Sequence, residues 1–375
     1  IDRDTIGETV WRAGDDCILP GKYARELLAV IHQLELAIPY ACSSYQSETI
    51  RKLVKFLRSG EPDDFRDYNI HWVKDESNVD FNLGFIEVYL DPRSQKGEWQ
   101  ASVYFTNHEQ TGLMQALARL GQYFEDRMPW ADAYKRVSGH SPIANVVNAI
   151  CQTGGTGPIS PVGVNLPNEQ SIRQQYGSKS ILLYNINEAI DKVVGEDLVK
   201  EFASDEEEIH LEKELGTLAD NLHTALHEVI GHGSGKMSER LSTQNPSEYL
   251  PGYYSTIEEA RADCVALWFA FDDKLMETGI AKENSELVRI GRTLYRQMVR
   301  GALTQLRQIG HHDQLEEDHM KNRQLIVHYI LRNSNAISVE RRDGKTFYNI
   351  VDYQEMRRSV GVLLMELMRI KAEGD

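Results

Sequence analysis

The stretch His227-Glu228-Val229-Ile230-Gly231-His232, within ALHEVIGHGSGK (225–236), decides the reading of this chain. Two histidines with a glutamate beside the first, on a segment of helical pattern, supply two imidazoles for a metal and a carboxylate for its water. The familiar zinc helix spaces its histidines at i and i+4, whereas these stand at i and i+5, roughly 140° apart on an ideal helix. One residue must be absorbed, and a single-turn π-bulge does this while returning both side chains to one face. Gly231 is the residue expected to ease that distortion. Spacing alone leaves a rival pair open, because His223 and His227 stand at i and i+4 with no bulge required.

A second acidic cluster lies downstream, Glu258-Glu259-Ala260-Arg261-Ala262-Asp263, opening another helical segment. A carboxylate from a neighbouring helix completes a site of three protein ligands with one position open to water. Arg261 reads as a structural ion-pair partner of this cluster.

HEVIGHGSGK followed by TIEEARAD resembles the dipeptidyl peptidase III family, zinc exopeptidases with a six-residue His-Glu-x-x-Gly-His motif that remove dipeptides from the amino end of short peptides. The resemblance implies one zinc ion held by His227, His232 and Glu259, with Glu228 as general base. It makes Glu258 and Asp263 the acceptors that orient the ligand imidazoles. Better-known members end the second motif in Glu where this chain has Asp263. The segment GFIEVYLDP (84–92) is similar to the family's substrate strand, which implies that Glu87 receives the peptide's α-amino group and Tyr89 helps stabilise the reacting carbonyl. By alternation alone, Phe85, Glu87 and Tyr89 share one strand face, a pattern a half-buried strand also meets. Asn165-Leu166-Pro167-Asn168 resembles the family's asparagine pair, and the resemblance implies that both amides bind the substrate's amino end and backbone. HMKNR (319–323) matches a His-Met-x-x-Arg pattern, implying that His319 stabilises the transition state and Arg323 holds substrate. His311 and His312 match nothing and read as loop residues.

Composition fits this class. The 375 residues, 41% hydrophobic, bury a large core. With 41 basic against 57 acidic residues the net charge is −16, which argues against nucleic acid. No apolar run approaches the roughly 18 residues of a membrane span, and the start lacks a signal-peptide pattern, although the chain does not begin with Met. Cys17, Cys42, Cys151 and Cys264 are dispersed as free thiols are, pointing to the cytoplasm. The partners expected are short peptides, and oligomeric state is not legible.

The expected architecture is α+β: a mostly helical zinc-bearing lobe and a smaller, partial β-barrel-like strand lobe, with a cleft between them. Residues 1–64 read as a helical amino-terminal segment, 65–110 and 146–186 as the strand-containing substrate lobe, and 111–145 and 187–375 as the helical catalytic lobe. Within these, a helix pair spans Gly21 to about Gly60, strands are expected at Asn69–Val73, Asp80–Leu90 and Gly97–Phe105, and a helix at Gln110–Met128. From Asn187 onward the pattern is almost wholly helical. Longer family members have a large amino-terminal region and a carboxy-terminal tail, so the lower lobe is expected to be incomplete here. The readings kept alongside are a peptide-binding protein with an inactive zinc site, and a zinc aminopeptidase or endopeptidase of different register.

Overall fold

The computed structural model describes residues 10–87, 98–137, 143–157, 161, 163–241, 249–308, 315 and 317–375. Helices α1 (Ala24–Ala37), α2 (Ser44–Ser59) and α3 (Pro62–Val73) lead into strands β1 (Val79–Glu87) and β2 (Glu98–Thr106). Next come α4 (His108–Arg119), α5 (Gly121–Asp126), β3 (Ile143–Gly154), β4 (Gly163–Leu166), α6 (Gln170–Tyr176) and β5 (Lys179–Leu183). Helices α7 (Tyr184–Phe202), α8 (Glu206–Ala225), α9 (Tyr254–Phe269), α10 (Asn284–Thr304) and α11 (Asp318–Asn333) follow, then the hairpin β6 (Ile337–Arg342) and β7 (Lys345–Ile350), and last α12 (Tyr353–Glu373). Strands β1 to β5 form one curled sheet in the order β1-β2-β3-β5-β4. The fold is α+β.

The chain divides into two compact units, one of residues 1–106, 150–159 and 165–179, the other of 107–149, 160–164 and 180–375. In the first, α2 starts where Ser43 Oγ accepts from the Gln46 amide at 3.0 Å and stops at Gly60, whose φ of 69° is left-handed. Its stripe of Ile50, Leu53, Val54 and Leu57 is buried. The expected strand at Asn69–Val73 is instead the end of α3. Pro62 sits at the start of that helix, and Tyr68, Asn69, Trp72 and Val73 are buried at helical spacing. Trp72 Nε1 donates to Asp80 Oδ1 at 3.0 Å, and the buried Lys179 ammonium, 2.8 Å from Asp80 Oδ2, lies over the Trp72 ring. That pairing ties α3 and β1 to the start of β5. Strands β1 and β2 pair antiparallel from Val79↔Phe105 to Phe85↔Trp99, then slip by a bulge so that Glu87 faces Glu98.

The second unit holds the larger core. Helix α8 begins at Asp205, whose carboxylate accepts from the Glu208 amide at 2.7 Å, and its first turn is acidic, as the helix dipole favours. Leu215, Leu222, Leu226 and Val229 carry its apolar stripe into a cluster with Cys264, Val265 and Leu267 of α9. The helix expected over Gln110–Met128 is two, broken at Leu120. The β6–β7 hairpin interrupts the carboxy-terminal region read as helical. Its turn is Asp343-Gly344, both at positive φ (50° and 77°), the geometry a tight hairpin requires.

Candidate metal centre

The residues Leu226–Gly231 form a π turn continuous with α8, and the His232 amide donates to the His227 carbonyl at 3.0 Å, an i to i+5 bond. The extra residue is absorbed as the histidine spacing required, and the two rings come together with centroids 4.7 Å apart. Gly231 also meets a packing demand. A Cβ there would fall 2.9 Å from both Cα and Cβ of Ala262, so glycine permits the close approach of α9. Gly231→Ala is expected to push α9 outward and cost about 1–3 kcal/mol of stability, measured by urea denaturation; an unchanged midpoint would show that the helices have slack here.

Two ligand atoms converge on one carboxylate oxygen. Glu259 Oε2 lies 3.1 Å from His227 Nε2 and 3.6 Å from His232 Nε2. Each ring is anchored by its other nitrogen, His227 Nδ1 to Asp263 Oδ1 at 2.6 Å and His232 Nδ1 to Glu258 Oε1 at 3.0 Å. Glu228 stands beside the pair, with ligand atoms of His227, Glu228 and His232 all within 4.8 Å of one another. Gly163 of β4 backs Glu228: a Cβ at that position would meet Leu182 Cδ2 at 2.8 Å and lie 3.4 Å from Glu228 Oε1. From α11, His319 brings Nδ1 to 3.6 Å from Glu259 Oε2 with more than half of its side chain exposed. Arg323, one turn on, donates to Gln305 Oε1 at 3.1 Å.

The electrostatics favour a bound cation. Burial opposes charge on both imidazoles, yet the carboxylates of Asp263 and Glu259 raise His227 well above the ordinary histidine value, and Glu259 with Glu258 pushes His232 up to about 9. Glu259 is burdened by burial but held well below the usual carboxylate range by His232 and His227. Two imidazoles fixed at Nδ1, both turning Nε2 to a carboxylate, are a donor set that fits a divalent nitrogen- and oxygen-binding metal.

Behind Glu258 lies a network of which the Arg261 ion pair was expected and the rest was not. The fully buried Arg261 grips Glu258 through Nη2 (2.6 Å to Oε1) and Nε (3.0 Å to Oε2), and Lys371 of α12 adds Nζ at 2.7 Å from Oε2. Arg261 Nη1 also reaches Ser234 Oγ, which donates to the Gly231 carbonyl at 2.8 Å. The segment after the π turn is pinned further by Arg136, whose guanidinium donates to the Gly233 and Gly235 carbonyls, and by Glu125, which accepts from the Gly235 amide. Helix α12 therefore contributes a charge to the site.

Burial presses Lys371 down to about 8, partly offset by Glu258. Its folded pKa lies below its unfolded one, so between pH 8 and 10.5 the unfolded chain binds a proton that the folded chain has released, and stability rises with pH. Relative to Lys371→Met, the wild-type chain should therefore gain up to about 3 kcal/mol across that window, read from unfolding free energies at pH 7.5 and 10. A constant difference between the two proteins would contradict the depressed value.

Of the other sequence candidates, Glu87 ends β1 in the first unit, and Tyr89, His311 and His312 lie outside the described residues. Asn165 ends β4 with Leu166, and Asn168 follows it, exposed. Arg173 holds this corner, its guanidinium donating to the Asn165 and Pro167 carbonyls, each at 2.6 Å.

A family profile described as "Peptidase family M49" matches residues 15–250 and 242–375, which is nearly all of the chain. The chain belongs to peptidase family M49. Among its M49 relatives, dipeptidyl peptidase 3 of Dictyostelium discoideum is 30% identical over 290 residues, covering 69% of this chain and 41% of that protein. The matched part of the chain thus covers about two fifths of the length of that relative. Two solved structures share the fold. Dipeptidyl peptidase III from Caldithrix abyssi superposes with a TM-score of 0.77 at 20% identity, covering 96% of this chain and 66% of that one. The enzyme from Corallococcus sp. strain EGB gives 0.77 at 23%, covering 96% and 63%. Membership in M49 implies a metal, and the donor set just described fits one. No helix among the described residues is long and apolar enough to cross a membrane.

Proposed function

We propose that this chain is a zinc-dependent peptidase that releases dipeptides from the amino end of short peptides and acts in the cytoplasm. One observation carries the reading: His227 and His232, each tied at Nδ1 to a carboxylate, both direct Nε2 to Glu259 with Glu228 alongside. In this reading His227, His232 and Glu259 hold the ion, and Asp263 and Glu258 keep the two rings aimed. Zinc bound there supplies a Lewis acid that polarises the scissile carbonyl and acidifies water.

The protein's own groups do the rest. Glu228 takes the proton of the attacking water and delivers it to the amine nitrogen as the C–N bond breaks. His319 and Tyr89 stabilise the charge that develops on the carbonyl oxygen. Glu87 pairs with the α-ammonium group, the amides of Asn165 and Asn168 bond the amino end and backbone, and Arg323 holds the peptide further along. A fixed amino terminus is what limits cleavage to two residues in.

The test is product analysis by mass spectrometry after incubating the zinc-loaded chain with a short unblocked peptide. Dipeptides as the only amino-terminal products are expected. Single amino acids or internal fragments would replace this register with that of an aminopeptidase or endopeptidase, and no cleavage at one zinc per chain would reject the activity.

A further inference from the structure

One histidine beside the metal centre has no part in the reading above. His223 lies one turn before His227 on α8 and brings Nε2 to 3.1 Å from Asp263 Oδ1, the same oxygen that holds His227 Nδ1 at 2.6 Å. The Asp263 side chain is buried and that of His223 mostly so. An aspartate arm has a single methylene between backbone and carboxylate, so a carboxylate reaching across from α9 needs a second contact to fix its rotation. His223 supplies it as a close polar contact rather than an aligned hydrogen bond, its ring centroid 6.0 Å from that of His227. Asp220 stands at i−3 on the same helix face as His223.

We infer that His223 is a positioning residue: it fixes the Asp263 carboxylate, and through it the His227 ring, so that metal retention depends on a side chain that does not touch the metal. This rests on the assignment of His227 as a ligand. The same three side chains, His223, His227 and Asp263, also have ligand atoms within 4.8 Å of one another, so a second ion is the competing use of His223.

The experiment measures zinc stoichiometry and the zinc dissociation constant by chelator competition, with the cobalt(II) absorption spectrum as a geometric readout. The proteins are the full chain and its variants His223→Leu, His223→Gln, Asp263→Asn and the double variant His223→Leu/Asp263→Asn. Loss of zinc binding in His227→Ala secures the ligand assignment independently of any result at 223. Positioning predicts one zinc per wild-type chain, about tenfold weaker binding in His223→Leu with a shifted cobalt spectrum, recovery in His223→Gln, whose polar amide can reach the same carboxylate, and a double variant no weaker than Asp263→Asn. A dissociation constant in His223→Leu within twofold of wild type overturns the inference, as do additive losses in the double variant. Two zinc ions in the wild type falling to one in His223→Leu also overturn it, making His223 a ligand. Should His223→Leu fail to fold, comparison of His223→Gln in the wild-type and Asp263→Asn backgrounds decides by the same additivity.

Discussion

Replacing Glu228 by glutamine is expected to lower kcat by about 10³-fold while zinc content and KM stay near those of the wild type. Glutamine keeps the shape of the side chain and its place between the two histidines, but it cannot take a proton from water. Glu228 holds neither imidazole: His227 is hydrogen-bonded to Asp263 and His232 to Glu258. The substitution therefore separates proton transfer from metal retention. The assay is release of an amide chromophore from an arginyl-arginyl substrate, with zinc measured by atomic absorption on the same samples. A variant that keeps more than a tenth of the wild-type kcat would remove Glu228 from the role of base.

Glu258→Gln should be the most damaging change to the framework. The carboxylate is buried, and burial alone would raise its pKa, but Arg261, Lys371 and His232 override this and hold it well below the usual range. Removing its charge leaves the guanidinium of Arg261 and the ammonium of Lys371 facing a neutral amide in the interior. Breaking a buried pair in this way costs about 3–5 kcal/mol, and the loosened His232 should weaken zinc binding about 10–100-fold. Chemical denaturation of the zinc-free chain isolates the first effect, and chelator competition gives the second. Adding Lys371→Met to Glu258→Gln should change stability less than adding Lys371→Met to the wild type, because the lysine has already lost its partner. Additive effects of the two substitutions would show that Lys371 is not held by Glu258.

Much of this centre was legible because a few residues left little freedom. Two histidines at i and i+5 with an intervening glutamate admit a shared face only if one residue is absorbed, and the π turn at Leu226–Gly231 does this. The helices α1 and α2 followed from apolar positions at regular spacing. Asn69–Val73 misled because five residues containing Ile70, Trp72 and Val73 satisfy a strand pattern as readily as a helical one. The start at Pro62 and the burial of Tyr68 decide for the helix. The β6–β7 hairpin did carry a local signal, the Asp-Gly pair at 343–344, submerged in a helical region. Lys371, Arg136 and Glu125 carried none, since a charged residue is ordinarily solvated and only tertiary placement puts these against Glu258 or the Gly233–Gly235 backbone. Spacing made His223 a rival ligand, and its place against Asp263 rather than Glu259 turns it toward support.

The π turn also fixes the rotational phase of the chain across the metal centre. Removing Val229 or Ile230 would restore an ordinary helix with histidines at i and i+4, an apparently simpler arrangement. The same deletion would turn everything after it by about 100° relative to α8. Gly231 would swing away from Ala262, and the Gly233–Gly235 carbonyls would leave Arg136. The single surplus residue is thus shared between two surfaces that must both fit, which makes this turn intolerant of insertions and deletions even where its side chains could be exchanged.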